Sequence, residues 1–147
     1  MNAGRAVTRS MPARDMAPGA ARRRRTVRYL AAVASAATAA LYFGIGAGAL
    51  TVVDRASPNA PDLFQFGVAA GAAFVVGAIL LLAFDRRLLW VLGAALQVGV
   101  IVMYVVVASE RTPPFEVWGL LIKVLQVAVL IALAYLIVRP RTAHIAG

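Results

Sequence analysis

LLWVLGAALQVGVIVMYVVVA, residues 88–108, runs for 21 positions with no ionisable side chain apart from Tyr104. As a helix rising 1.5 Å per residue it is about 31 Å long, the thickness of a bilayer's hydrocarbon core. A helix that is apolar on every face needs lipid or the centre of a large protein around it. A chain of 147 residues is too small to supply the second, because a domain of that size still exposes much of its surface.

Working outward, three more stretches behave alike: residues 29–53, 63–84 and 115–138, of 25, 22 and 24 residues. Between them lie polar, turn-forming segments. Asp54-Arg55-Ala56-Ser57-Pro58-Asn59-Ala60-Pro61-Asp62 separates the first two, and Asp85-Arg86-Arg87 is a tight turn between the second and third. Glu110-Arg111-Thr112-Pro113-Pro114 follows the third, with Thr112 placed to cap the last helix and Pro113 at its first position. The expected fold class is therefore an all-α membrane protein, a four-transmembrane-helix bundle. Composition agrees: 62% of residues are apolar and 14% charged, against about 25% charged in soluble domains.

The second half echoes the first. Asp54-Arg55, Pro61 and Phe66-Gly67 match Glu110-Arg111, Pro113 and Trp118-Gly119, with five residues from proline to aromatic in both. This suggests two tandem helical hairpins, an arrangement that occurs in transporters and in proteins with no transport role.

Basic residues set the orientation. The N-terminal tail carries eight of the fifteen, and the Arg86-Arg87 turn and the C-terminal tail (Arg139, Arg141) carry two each. The two opposite loops carry one each, Arg55 and Arg111. Basic loops stay on the cytoplasmic side, so a multi-pass cell-membrane protein with both termini cytoplasmic is expected. A rival reading takes the first apolar run as a signal peptide cleaved after Ala47-Gly48-Ala49; that run is longer than the usual 7–15 residues.

Residues 1–28 hold few large apolar groups and are expected to be a disordered basic tail; residues 139–147 form a short second tail. Arg22, Arg23, Arg24, Arg25 and Arg28 lie where they would contact anionic lipid headgroups. The bilayer is thus the first expected partner. Association as a homo-oligomer or in a larger membrane complex is a second, and no nucleic-acid partner is expected, since the basic run lacks interleaved aromatics.

Helix association in lipid depends on small residues. Ala32, Ala36, Ala40, Gly44 and Gly48 recur at every fourth position of the first span, and Gly67 and Gly71 form a GxxxG in the second. Both are candidate packing faces. Tyr29, Trp90, Tyr135, Phe64, Phe66, Phe115 and Trp118 lie near span ends and read as interfacial anchors.

The chemistry is bounded mostly by exclusion. There is no cysteine, and the single histidine, His144, lies outside every apolar run. No haem pair, thiol chemistry or zinc site follows, and no catalytic, cofactor or metal residue is assigned. Ser35, Thr38 and Ser109 have no base beside them in sequence, so an enzyme is not expected. What remains is a candidate intramembrane polar cluster. Counted from the outer span ends, Tyr42, Gln97 and Gln126 each lie 11 residues deep, about 16 Å. Lys123 sits one turn nearer the outer face, with Glu116 seven residues before it as a candidate counter-ion. A charge at that depth usually marks a paired or functional position.

The leading expectation is a structural, accessory or partner-binding membrane protein. A small transporter or channel using Lys123, Gln97 and Gln126 is one alternative, and a holin-like pore former is another.

Overall fold

The computed structural model describes residues 18–50, 63–109 and 116–139. They form four helices: α1 (Pro18–Gly46), α2 (Leu63–Ala83), α3 (Arg87–Ser109) and α4 (Val117–Val138). Each is long and apolar enough to cross a membrane. The three inter-span expectations for Pro58, Thr112 and Pro113, the anchor Phe115, the tail through residue 17 and the end from residue 140 lie outside the described residues.

The first helix differs most from its expected bounds. It begins at Pro18 and ends at Gly46, eleven residues before and seven residues before the limits 29 and 53. Proline fits the first helical position, and Ala20, Ala21 and the arginines that follow are strong helix formers. Residues 18–28 are therefore helical where the tail was expected to lack structure. The far end is closed by a Schellman motif: the Ala49 N–H bonds to the Gly44 carbonyl at 2.9 Å, and the Gly48 N–H bonds to that of Ile45 at 3.0 Å. Gly48 has φ +70, a left-handed conformation that side chains disfavour.

That cap removes Gly48 from the stripe of small residues. Of the rest of the stripe, Ala32 is buried but Ala36 and Ala40 are exposed; the buried face of α1 is Ala31, Ala32, Ser35, Thr38, Ala39 and Tyr42. Four residues turn an α-helix by more than one circle, so an every-fourth pattern drifts by about 40° per step. Over the whole stripe it leaves the buried side. The buried positions alternate steps of three and four and stay on one face.

On α2, Gly67 and Gly71 do face the bundle and are buried. A Cβ on Gly67 would lie 2.6 Å from both the Gly46 Cα and the Tyr42 carbonyl oxygen, so two backbones meet here. At Gly71 the Phe43 ring fills the space. The matching glycine of the second hairpin, Gly119, is closed over by Tyr104 from α3. At both positions the glycine after the aromatic leaves no room for a Cβ, against backbone at Gly67 and against a side chain at Gly119.

α1 packs against α2 and α4, and α4 packs against α3. The lateral order is α2, α1, α4, α3. α2 and α3 are joined by a turn of three residues yet hardly touch beyond it. The apolar core of Ala31, Ala32, Ala78, Leu81, Trp90, Val129, Leu133 and Leu136 gathers towards the end that carries the arginines.

Candidate functional site

The polar residues expected to cluster do so in part. Lys123 Nζ donates to Gln126 Oε1 at 2.5 Å and sits 4.6 Å from the centre of the Tyr104 ring. One helical turn brings positions 123 and 126 side by side, and the ring face attracts the cation. Gln126, fully buried, in turn donates from Nε2 to the Tyr42 hydroxyl at 3.5 Å, the long end of a hydrogen bond. A chain of contacts thus runs from α3 through α4 to α1.

Tyr42 arrives there by a route other than the expected one. With α1 ending at Gly46, Tyr42 is four residues from the helix end, about 6 Å, and not 11 residues deep. Helical side chains lean towards their own N-terminus. On α1 that direction points inward, so the hydroxyl reaches the level of Gln126. The ring is held by Phe74, stacked at 5.7 Å, and Phe66, edge-on at 5.8 Å.

Gln97 joins the level but not the chain of bonds. It is 7% exposed, and its Oε1 is buried with no hydrogen-bond partner. Glu116 takes the N-cap position of α4 in extended conformation, and its carbonyl accepts from the Leu120 N–H at 2.9 Å. Ser35 and Thr38 are buried, Thr38 Oγ1 donating to the Ala34 carbonyl one turn back at 2.9 Å. Among the described residues no three His, Cys, Asp or Glu side chains lie together as metal ligands would.

A second cluster lies at the arginine end, where two of the expected headgroup contacts, Arg24 and Arg28, turn inward to protein partners instead. Arg24 Nη2 donates to Asp85 Oδ1 at 3.1 Å, and Arg24 Nη1 donates to the Arg139 carbonyl. Its guanidinium also lies 4.6 Å from the centre of the Trp90 ring. Arg28 donates to the carbonyls of Leu81 at 2.7 Å and Leu82 at 3.0 Å, and its Nη1 lies 3.8 Å from Asp85 Oδ2. The last carbonyls of a helix have no partner within it, so Arg28 caps α2 with positive charge where the helix dipole favours it. Arg24 and Arg28, four apart, share the inward face of α1; Arg22, Arg23 and Arg25 stay exposed. The sequence signal was the i, i+4 spacing together with Asp85, an isolated carboxylate among the basic residues of that end.

Trp90 was read as an interfacial anchor. It is 2% exposed, beneath Arg24, with its indole N–H buried and unpartnered. Its ring is the flat surface on which the Arg24 cation rests, which needs burial and not contact with headgroups.

Beside both clusters lies a cleft of about 630 Å³ between α2 and α3. Phe74, Gly77 and Leu80 form one wall and Leu89, Gly93 and Leu96 the other, with Val129 and Leu133 of α4 at the back. Gln97, Tyr42 and Trp90 reach its lining; Lys123 and Gln126 do not. The opening is apolar and lateral. No protein family, characterised protein or solved structure matches this chain.

Proposed function

We propose that this chain is a multi-pass integral membrane protein, with both termini cytoplasmic, that serves as a structural or accessory component and binds partners within the bilayer. Its outer surface supports the membrane reading: Val33, Leu96, Val124 and Ile131 are each about two-thirds exposed, a pattern lipid tolerates and water does not. The two termini and the Arg86-Arg87 turn share one side by their charge.

The observation that carries the accessory reading is where the polar residues point. Lys123, Gln126 and Tyr42 bind one another across α4 and α1, as polar groups that join helices do. A transporter or channel would need such groups along a hydrated path, and the opening between α2 and α3 is lined mostly by apolar side chains, with Ser35, Tyr42 and Gln97 the polar ones. Chemistry on a substrate is not part of the proposal; among the described residues Thr38 Oγ1 donates to the Ala34 carbonyl.

Reconstitution into liposomes tests it. The expected result is no proton, sodium or chloride flux above empty vesicles, no growth arrest on expression, and recovery of a membrane partner in mild detergent. Flux abolished by Lys123→Met with folding intact would replace this reading with the transporter; leakage of large solutes would replace it with the pore former.

A further inference from the structure

The cleft between α2 and α3 runs along α3 from Leu89 to Met103. That is 14 residues, or about 21 Å, longer than one leaflet's half of the hydrocarbon core at about 15 Å. Its volume of about 630 Å³ is that of a site for a small amphiphile. At Gly77, on its wall, an added Cβ would meet no atom within 4 Å, so the space there is open.

The charge at one end is equally one-sided. The cleft begins at the α2–α3 turn, where Arg86 and Arg87 are exposed one turn from Leu89 and Trp90. The exposed Arg22, Arg23 and Arg25 belong to the same end. The carboxylate of that turn, Asp85, is engaged by Arg24 and Arg28 and is turned away from this work. A mostly apolar slot between α2 and α3, with the exposed Arg86 and Arg87 at its turn end, is complementary to one molecule of the bilayer.

We infer that the α2–α3 cleft is a binding site for an anionic phospholipid, one acyl chain lying between α2 and α3 and the phosphate meeting Arg86 and Arg87. The inference rests on the membrane reading above but not on the accessory role. It differs from general attraction of a basic tail to a charged surface, because it requires a chain seated against Gly77 and a single lipid per bundle.

Trp90 lines the cleft and reports on it. In a Trp118→Phe background, the full chain is reconstituted in phosphatidylcholine containing a small fraction of lipid brominated on its acyl chains, either phosphatidylglycerol or phosphatidylcholine. Brominated phosphatidylglycerol should quench Trp90 saturably, at a mole fraction about tenfold or more below that needed for brominated phosphatidylcholine. Gly77→Phe should remove that advantage by filling the cleft. Gly99→Phe, at an exposed glycine that also faces open space, should retain it and controls for folding. Arg86→Gln with Arg87→Gln should abolish the preference for the anionic lipid while leaving α3 helical by circular dichroism. Equal quenching by the two lipids overturns the site, as does quenching indifferent to Gly77→Phe. Loss of a dimer on Gly77→Phe, with quenching unchanged, would assign the cleft to a second copy instead. Release of the protein from membranes by alkali without detergent would remove the membrane premise itself, a result distinguishable from equal quenching of an integral protein.

Discussion

At the scale of single residues, the Lys123–Gln126–Tyr42 chain makes an asymmetric prediction. Lys123→Met removes a charge that is costly within the membrane, so the change should be neutral or stabilising to thermal unfolding in detergent. Gln126→Leu alone leaves the ammonium and the Tyr42 hydroxyl without their partner and should cost roughly 1–3 kcal/mol. The double variant should recover most of that loss, a non-additivity that a double-mutant cycle reads directly; additive effects would disconnect the two residues. This much was legible beforehand, because an amide or a cation stands out in a run of valine and leucine. Counting from residue 53 misplaces Tyr42 along α1, which ends seven residues earlier at Gly46, although its hydroxyl still meets Gln126. Gly48 stops the helix by conformation, and hydropathy is blind to conformation. Trp90 escaped because a tryptophan near a span end has the same sequence signature whether its neighbour is a headgroup or Arg24.

At the scale of elements, α1 is fastened to α2 at both ends by different means. Near Gly46 the fastening is steric: Gly67→Ala would drive a methyl into backbone and should cost about 1–3 kcal/mol, while Gly99→Ala, facing open space, should be neutral or slightly stabilising. At the other end it is electrostatic. Arg28→Gln removes the donors on the Leu81 and Leu82 carbonyls and should lower stability by roughly 1.5–3 kcal/mol; Arg25→Gln, on the exposed side, should change it little. Thermal unfolding of the four variants in one detergent compares them. Of the two fastenings, the sequence shows the glycine pair and hides the arginine clasp. The GxxxG was legible because its spacing keeps two glycines on one face. The Arg22–Arg25 run reads as part of a disordered, headgroup-contacting tail because composition counts charges without asking which face of a helix carries them.

At the scale of the molecule, the α1–α2 and α3–α4 pairs share a short sequence echo and differ in company. Each hairpin closes on its own glycine, at Gly67 or Gly119. Between hairpins, α1 meets α4, whereas the equivalent pair, α3 and α2, stands apart. An exact two-fold arrangement would have closed both, and nothing in the repeat foretold which side would open. Orientation is a whole-molecule property as well, and the absence of cysteine makes it simple to measure. Single cysteines at 58 and 112 should react with an impermeant maleimide in intact cells, and one at 86 should react after permeabilisation. The reverse pattern would invert the topology.

The lateral order α2, α1, α4, α3 also bears on how the chain is made. Helices leave the ribosome in the order of their numbers, so in the membrane setting proposed above α1 and α2 can pair as soon as both are inserted. α3 then arrives beside a neighbour it hardly touches, and it waits for α4 before acquiring a packing surface. The helix made last is the one inserted between two already present. A nascent chain that has released α3 from the ribosome but not yet α4 should therefore hold a folded α1–α2 hairpin and an α3 without a helical neighbour. Completion of the final 22-residue helix should end that isolation in a single step. Cross-linking of ribosome-arrested intermediates, between positions 67 and 46 and between 104 and 119, would resolve the two events in time. Synthesis of this protein thus has an interval with α3 unpaired, whose length is set by the translation of α4.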